Sequence, residues 1–284
     1  MKLPPFEYAC PTSISEAVAL LAAHDGEAKP LAGGQSLVPM LAFRVASPSL
    51  LVDLRKLEVL RQIRITQDGV VLGAMVRWRD ILEDARLLRA HPLLVAAVEH
   101  VAHYQIRNRG TVGGSVAHAD PAAEMPGIAV TCDAQIAVIG KSGSRVIAAD
   151  DFFQGPLMTA LTSDEIITEI RLPLWPGKRR FGFQEFARRR GDFALAAAAV
   201  FYDDDNGTAR NARVGVIGVG DRPLRLPSVE AVLNGQKISE AVIAKAEAAA
   251  SAAVDPRDDI HASGAYRKAL VGVMVERALK AAVA

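Results

Sequence analysis

The chain has 284 residues, half of them hydrophobic, with 33 Lys plus Arg against 32 Asp plus Glu and a formal net charge of +1. This length predicts about two globular domains, and the near-neutral charge argues against nucleic acid or a membrane surface as a partner. The two cysteines, Cys10 and Cys132, are too few for an iron–sulfur cluster of its own, which normally needs about four thiolates. With no apolar leader and no membrane-length apolar run, the composition predicts a soluble, cytoplasmic protein.

The first helix is predicted from Ser13, where Ser13 and Glu16 form a capping-box pattern, to Gly26. Hydrophobic periodicity and turn-forming residues predict the next elements. They are strands at 30–32, 50–54 and 70–72 and helices at 78–88 and 92–103.

The stretch 106–126, IRNRGTVGGSVAHADPAAEMP, holds three glycines and two prolines, so it is predicted to be rich in loops. A hairpin is predicted around Ser142-Gly143, and residues 173–180 (PLWPGKRR) are predicted to be a linker. The remaining predicted elements are strands at 135–139, 145–148, 165–172, 181–188, 194–202 and 212–219 and helices at 239–254 and 263–282. This order predicts an α+β protein whose second part consists of antiparallel strands backed by helices.

Two glycine loops, Ala32 to Ser36 and Gly110 to Ser115, carry the strongest chemical signal. A Gly-Gly pair lets the backbone take positive φ and removes the Cβ that would block a close approach, so consecutive N–H groups can face one anion. Two such loops that converge would suit the diphosphate of a dinucleotide. The same pattern is also compatible with two ordinary tight turns.

Other common sites are not favoured by the sequence. Gly218-Val219-Gly220 lacks the third glycine of a Rossmann fingerprint, and there is no GxxxxGK[ST] loop, GxSxG elbow or HExxH motif. His100 and His103 are spaced one helical turn apart but more often indicate a solvated helix end than a metal site. No metal site and no nucleophilic catalytic residue are therefore predicted.

Three motifs together resemble the FAD-binding medium subunit of the molybdenum hydroxylases, the xanthine dehydrogenase and carbon monoxide dehydrogenase family. They are AGGQS at 32–36, RNRGTVGGSVAHADPAAE at 107–124 and RRRGDFALAAAAV at 188–200. The resemblance implies two small α+β subdomains of the p-cresol methylhydroxylase type that bind FAD, over 1–175, followed by a domain of the carbon monoxide dehydrogenase flavoprotein type over 176–284.

The resemblance also implies the residues that contact non-covalent FAD. Val101 would lie beside the adenine end, Ile167 would make an apolar contact, and Phe193 would cover the flavin ring, while Glu124, with Asp120 as a companion, would bind FAD hydroxyls. The diphosphate and ribityl would be held by Lys29, Leu31, Ala32, Gly33, Gly34, Gln35, Ser36, Leu37, Gly110, Thr111, Gly113, Gly114 and Ser115.

Two positions depart from the family pattern. Gln35 stands where His is common and can still donate a hydrogen bond. Glu185 stands where several members have Lys near the flavin, which changes the charge at the ring edge.

By this resemblance the chain is an electron-transfer subunit of a dimer of heterotrimers. Its partners would be a small [2Fe-2S] subunit and a large molybdopterin subunit, and an external acceptor would take the electrons. Two alternatives stay open at this point: a self-sufficient flavin oxidase of the vanillyl-alcohol type, and an adaptor that has lost FAD.

Overall fold

The computed structural model describes residues 2–284 and begins with a small parallel sheet. Its strands lie in the order β1, β3, β2, so the middle strand β3 is paired on both edges and wholly buried. The elements of this part are β1 (Glu7–Ala9), α1 (Ile14–Ala23), β2 (Ala28–Leu31), α2 (Leu37–Ala42) and β3 (Leu50–Asp53).

The predicted cap of α1 is present in a modified form. The Ser13 hydroxyl accepts a hydrogen bond from the Glu16 N–H at 3.2 Å. The Glu16 carboxylate accepts from the N–H of Thr12 at 2.8 Å instead of from Ser13, so the reciprocal half of a capping box is shifted by one residue. Helix α1 then buries Ala17, Val18 and Leu21 against the parallel sheet.

The second sheet is antiparallel and has five strands in the order β4, β5, β10, β6, β7. The predicted hairpin is confirmed as β6 and β7, with Gly140 paired to Gly143 at the turn. The strands are β4 (Ile63–Thr66), β5 (Gly69–Gly73), β6 (Gln135–Gly140), β7 (Gly143–Ala148), a two-stranded ribbon of β8 (Phe153–Gly155) and β9 (Met158–Thr159), and β10 (Ile166–Pro173).

Seven short helices accompany this sheet. They are α3 (Trp78–Glu83), α4 (Leu87–Ala90), α5 (Pro92–Val98), α6 (Tyr104–Arg107), α7 (Val112–His118), α8 (Glu124–Thr131) and α9 (Ala149–Phe152).

The predicted helix at 78–88 is broken, because Asp84 takes an extended conformation and its carboxylate accepts from the N–H of Arg86. The predicted helix at 92–103 ends at Val98.

The prediction of a loop-rich segment at 106–126 is wrong. The segment contains the end of α6, the whole of α7 and the start of α8. Thr111 caps α7, and Pro126 stands in the first turn of α8, where its missing N–H breaks no helical hydrogen bond. Gly113 is required in α7 because the helix packs so closely against Ala74 that a side chain would not fit.

The last sheet is antiparallel in the order β11, β12, β13, β14 and has helices packed on one face. Its core strand β12 alternates between two cores: Ala197, Ala199 and Phe201 face the helices of the preceding region, and Ala198 and Val200 face α12. Burial on both faces explains the continuous apolar run in the sequence. The elements are β11 (Arg179–Phe186), β12 (Ala196–Asp205), β13 (Thr208–Ile217), β14 (Leu224–Arg225), α10 (Pro227–Leu233), α11 (Glu240–Ala252) and α12 (Gly264–Val283).

Aromatic contacts hold the segment between β10 and β11 in place. The Trp175 ring lies 4.7 Å from the His91 ring and 5.5 Å from the Phe201 ring, between centroids, and the Arg179 guanidinium lies over Trp175 and Phe201. Arg179 also pairs with Asp203 at 2.7 Å. Burial lowers the pKa of His91 to about 3, so its neutral ring accepts from the N–H of Leu94 at the start of α5. Through Trp175, the predicted linker therefore makes fixed contacts with both regions that it joins.

The fold class is α+β, as the sequence predicts. None of the helices within residues 2–284 is both long and apolar enough to cross a membrane.

Candidate functional site

The first glycine loop follows β2 and leads into α2. Gly34 has φ of +72°, which favours glycine, and the Gln35 amide donates to the Gly33 carbonyl at 2.9 Å. Within the described part of the chain, the N–H groups of residues 34–37 donate to no protein acceptor. Four consecutive free donors are a feature of anion sites.

The segment predicted as the second glycine loop, Gly110 to Ser115, is not a free loop but the cap and first turn of α7; it is still called the second glycine loop here, and its backbone donors are already in use. The N–H groups of Val112 and Gly113 donate to the carbonyls of Val76 and Ala74, and that of Gly114 donates to the Thr111 hydroxyl at 3.1 Å. The N–H of Ser115 donates to the Thr111 carbonyl at 3.0 Å. This loop therefore offers a ligand its closely packed surface and the Ser115 hydroxyl, while the first loop offers backbone amides.

The two loops touch each other through glycines. A Cβ on Gly33 would lie 2.8 Å from the Arg109 carbonyl carbon and 2.9 Å from the Gly110 Cα, closer than real Cβ atoms approach. A Cβ on Gly113 would lie 2.5 Å from the Ala74 Cβ, and one on Gly114 would lie 3.5 Å from the Ala32 Cβ. Only glycine at position 33 lets the two loops meet at this distance, and Gly113 lets its own segment pack against Ala74, whereas the distance at Gly114 is that of an ordinary contact. The pattern is therefore more than a pair of ordinary turns.

A pair of carboxyl groups stands where α8 begins and β11 ends. Glu124 is the first residue of α8, and burial together with the nearby Asp120 charge raises its pKa to about 7. Burial and the Glu124 charge raise the pKa of Glu185 to about 8. The Oε2 atom of Glu185 is buried without a hydrogen-bond partner among residues 2–284. Near neutral pH this pair therefore holds at least part of one proton.

The apolar residues of the predicted site differ in exposure. The Phe193 side chain is 64% exposed, so a large aromatic face is available on the bend after β11. Val101 and Ile167 are buried in the main core and can present only a small apolar surface. Lys29 is exposed on β2, at the approach to the first loop.

Five cationic side chains that the sequence interpretation missed line a cavity of about 250 Å³ next to both loops. They come from three separate segments, so the sequence holds no local signal for the group. They are Arg55, Lys56, Arg61, Arg77 and Arg109, and the cavity is completed by Ala32, Gly33, Met75 and Thr111.

The residues present fit the diphosphate of a dinucleotide. Free N–H groups, glycines without room for a Cβ, the exposed Lys29 and the hydroxyl of Ser115 provide donors and positive charge for an anion. The exposed Phe193 provides a surface on which an aromatic ring can stack.

Two family models match nearly the whole chain. Residues 4–175 match the FAD binding domain in molybdopterin dehydrogenase, and residues 181–282 match the CO dehydrogenase flavoprotein C-terminal domain.

Similar proteins cover the chain from end to end. The nicotine 6-hydroxylase medium subunit of Paenarthrobacter nicotinovorans is 40% identical over 98% of this chain and 98% of its own. The carbon monoxide dehydrogenase medium chain of Hydrogenophaga pseudoflava is 36% identical over 98% of this chain and 97% of its own.

Solved structures agree with these sequence matches. A chain of carbon monoxide dehydrogenase from Hydrogenophaga pseudoflava superposes with a TM-score of 0.97, at 37% identity, and covers 100% of this chain and 99% of that one. A chain of quinoline 2-oxidoreductase from Pseudomonas putida 86 superposes with a TM-score of 0.95, at 38% identity, with the same coverage.

Proposed function

Because the chain belongs to the family of FAD-binding medium subunits of molybdopterin dehydrogenases, we propose that it binds FAD non-covalently at the paired glycine loops and transfers electrons within a heterotrimeric molybdenum hydroxylase. Relatives that match over 98% of this chain are medium subunits, which disfavours the alternative of a self-sufficient flavin oxidase.

The two glycine loops offer different contacts to a ligand, and this difference supports a specific binding mode. The free N–H groups of residues 34–37 and Lys29 bind the diphosphate, with Gln35 held in place by its bond to the Gly33 carbonyl. Gly33 allows the first loop to approach the backbone of Gly110 closely, and Thr111 fixes the second loop by capping α7. The residues proposed to contact the diphosphate and ribityl of FAD also include the neighbouring Leu31, Ala32, Ser36, Leu37, Gly110 and Ser115.

The other end of the cofactor lies, in this proposal, between the two regions of the chain. Phe193 covers one face of the flavin ring and keeps water off it. Glu124, with Asp120 beside it, accepts hydrogen bonds from FAD hydroxyls, and Val101 and Ile167 contribute apolar contacts. Glu185 brings a carboxyl that retains its proton near neutral pH, so it adds little negative charge at the ring edge.

Bound FAD supplies two-electron storage and one-electron exchange. The residues of this chain position the cofactor and exclude water from it, and none is proposed to act as acid, base or nucleophile on the organic substrate. We propose that electrons arrive from [2Fe-2S] clusters of a small subunit, that a large subunit carries molybdopterin, and that an external acceptor removes the electrons. The assembly is proposed to be a dimer of heterotrimers in the cytoplasm.

The domain division proposed for this arrangement is 1–175 for FAD binding and 176–284 for the C-terminal domain. The family matches, over 4–175 and 181–282, support it.

The observation that carries the proposal is the contact between the glycine loops beside four free N–H donors. It is tested by removing FAD from the purified complex and restoring it. We expect the FAD-depleted complex to keep substrate-dependent bleaching of its iron–sulfur absorbance but to lose electron delivery to the acceptor, and added FAD to restore delivery. Unchanged delivery without FAD would contradict the proposal.

A further inference from the structure

The cavity lined by five cations, called here the arginine cavity, is placed beside the glycine loops but built by other segments. Arg55, Lys56 and Arg61 belong to two 3₁₀ turns after β3, Arg77 precedes α3, and Arg109 precedes the second loop. Backbone hydrogen bonds from Trp78 to the Gly110 carbonyl and from Val112 to the Val76 carbonyl hold the Arg77 segment along the second loop.

The charges of the arginine cavity are only partly balanced. Arg55 pairs with the buried Asp53 at 2.6 Å, and Arg61 lies 3.6 Å from Glu58. No carboxylate among residues 2–284 lies within 4 Å of the charged groups of Lys56, Arg77 or Arg109. Three positive charges therefore converge without protein counter-ions.

An orphaned donor points to the same conclusion. The Nε–H of Arg61 is buried and makes no hydrogen bond in the described chain, since the Glu58 carboxylate oxygen nearest to it is 3.6 Å away; another nitrogen of this guanidinium donates to the Arg55 carbonyl at 2.7 Å. A buried donor without an acceptor is unfavourable because it has lost its hydrogen bond to water. A bound anion would satisfy it.

The arginine cavity overlaps the proposed FAD contacts only in part. Of those residues, only Ala32, Gly33 and Thr111 line it, and the four free N–H groups of residues 34–37 do not. Its volume of about 250 Å³ is below the roughly 300–1,000 Å³ of pockets that enclose a drug-sized ligand, so it admits a phosphate group or two but not a whole dinucleotide.

We propose that the arginine cavity is a second anion site, which takes the terminal diphosphate of a free nucleotide or inorganic pyrophosphate while FAD occupies the glycine loops. A phosphate monoester carries about −1.5 to −2 charges, so a terminal diphosphate carries about three, which matches the three unbalanced cations. The internal diphosphate of a dinucleotide carries about two and matches them less well. Arginine forks bind phosphate oxygens in pairs, which suits Arg61, Arg77 and Arg109.

The test is calorimetric titration of the purified FAD-containing complex with inorganic pyrophosphate at low ionic strength, after flavin absorbance has shown that FAD is present. We expect saturable binding to wild type that weakens as salt is added. Arg77→Gln and Lys56→Gln should each weaken binding at least about tenfold. Arg257→Gln, the same charge change at an exposed arginine in the C-terminal region, should leave it unchanged.

Equal flavin content and equal melting temperature in wild type and variants establish that the folds are intact. Tighter binding of ADP than of pyrophosphate identifies a nucleotide as the natural ligand, and equal affinities identify the diphosphate alone. The inference is overturned if the FAD-containing complex binds no pyrophosphate, or if Arg77→Gln and Lys56→Gln bind it as wild type does. It is also overturned if only the FAD-depleted complex binds, since FAD itself would then fill the arginine cavity. Absence of FAD from the complex would instead refute the proposed function.

Discussion

Both the glycine-loop region and the C-terminal sheet use glycine to bring backbones together, but with different results. Gly33 meets the backbone of Arg109 and Gly110 and leaves N–H groups of residues 34–37 free. In the C-terminal region, Gly182 lies against the backbone of Ala278 in α12, where a Cβ would be 3.0 Å from the Ala278 Cα, and the contact is part of a packed core. Close backbone contact at a glycine thus forms part of a ligand site in one region and a helix–sheet contact in the other.

The largest effect is expected from filling the contact between the loops. Gly33→Val places side-chain atoms in the space occupied by the backbone of Arg109 and Gly110, so the loops must separate. We expect FAD content per chain to fall at least tenfold in the purified complex. Gly177→Val is the matched control, because nothing lies within 4 Å of a Cβ at that position. If Gly33→Val retained FAD, the close contact between the glycine loops would not be needed for FAD binding.

The second prediction concerns the core of the C-terminal region, where a buried side chain is removed rather than added. Leu279→Ala removes a fully buried side chain between α12 and the sheet and should lower the free energy of unfolding by about 2–5 kcal/mol. FAD content per folded chain should stay at the wild-type value below the melting temperature. Leu174→Ala, at a side chain that is 55% exposed, should change stability by no more than about 0.5 kcal/mol. Equal melting temperatures for the two variants would show that this region is not stabilised by its core.

The carboxyl pair between the regions predicts a pH effect. Burial raises the pKa of Glu185 to about 8 and that of Glu124 to about 7, whereas both titrate near about 4.3 in an unfolded chain. Between these values the folded protein binds more protons than the unfolded one, so stability is greatest at the acidic end and falls as pH rises from about 4.3 to 8.

Glu185→Gln should therefore reduce the dependence of melting temperature on pH and exceed wild-type stability at pH 8.5 by about 1 kcal/mol, because the carboxyl at position 185 no longer has to ionise while that of Glu124 still does. Glu7→Gln at an exposed position is the control and should follow the wild-type curve. Parallel curves for Glu185→Gln and wild type, from pH 5 to 8.5, would show that the Glu185 side chain is not buried as described.

The smallest effect is expected at Phe193. Since this ring is 64% exposed, Phe193→Ala should alter stability by no more than about 0.5 kcal/mol. Loss of an offset stack of about 1 kcal/mol should make FAD dissociate about fivefold faster, measured by the recovery of flavin fluorescence after dilution. Phe43→Ala, at a ring that is 70% exposed, is the aromatic control. Identical dissociation rates would remove Phe193 from the proposed site.

The sequence predicts most strands and the first glycine loop better than the short helices. The hairpin at Gly143 and the apolar run of β12 carry local signals that survive in the structure. Helices α7 and α8 do not, because Gly113, Gly114 and Pro126 oppose helix formation and tertiary packing overrides that preference.

The arginine cavity could not be predicted for another reason. Arg61, Arg77 and Arg109 lie in separate segments, and only the fold brings them together. Glu124 and Glu185 are each singled out by the sequence, but their pairing is not, since the two become neighbours only through the contact between the two regions.

The central claim is that the paired glycine loops of this chain hold FAD. It is tested most directly by extracting the intact purified complex and comparing the amount of FAD with the amount of this chain. We expect equimolar FAD, released without breaking a covalent bond. An intact complex that contains this chain but no flavin would contradict it.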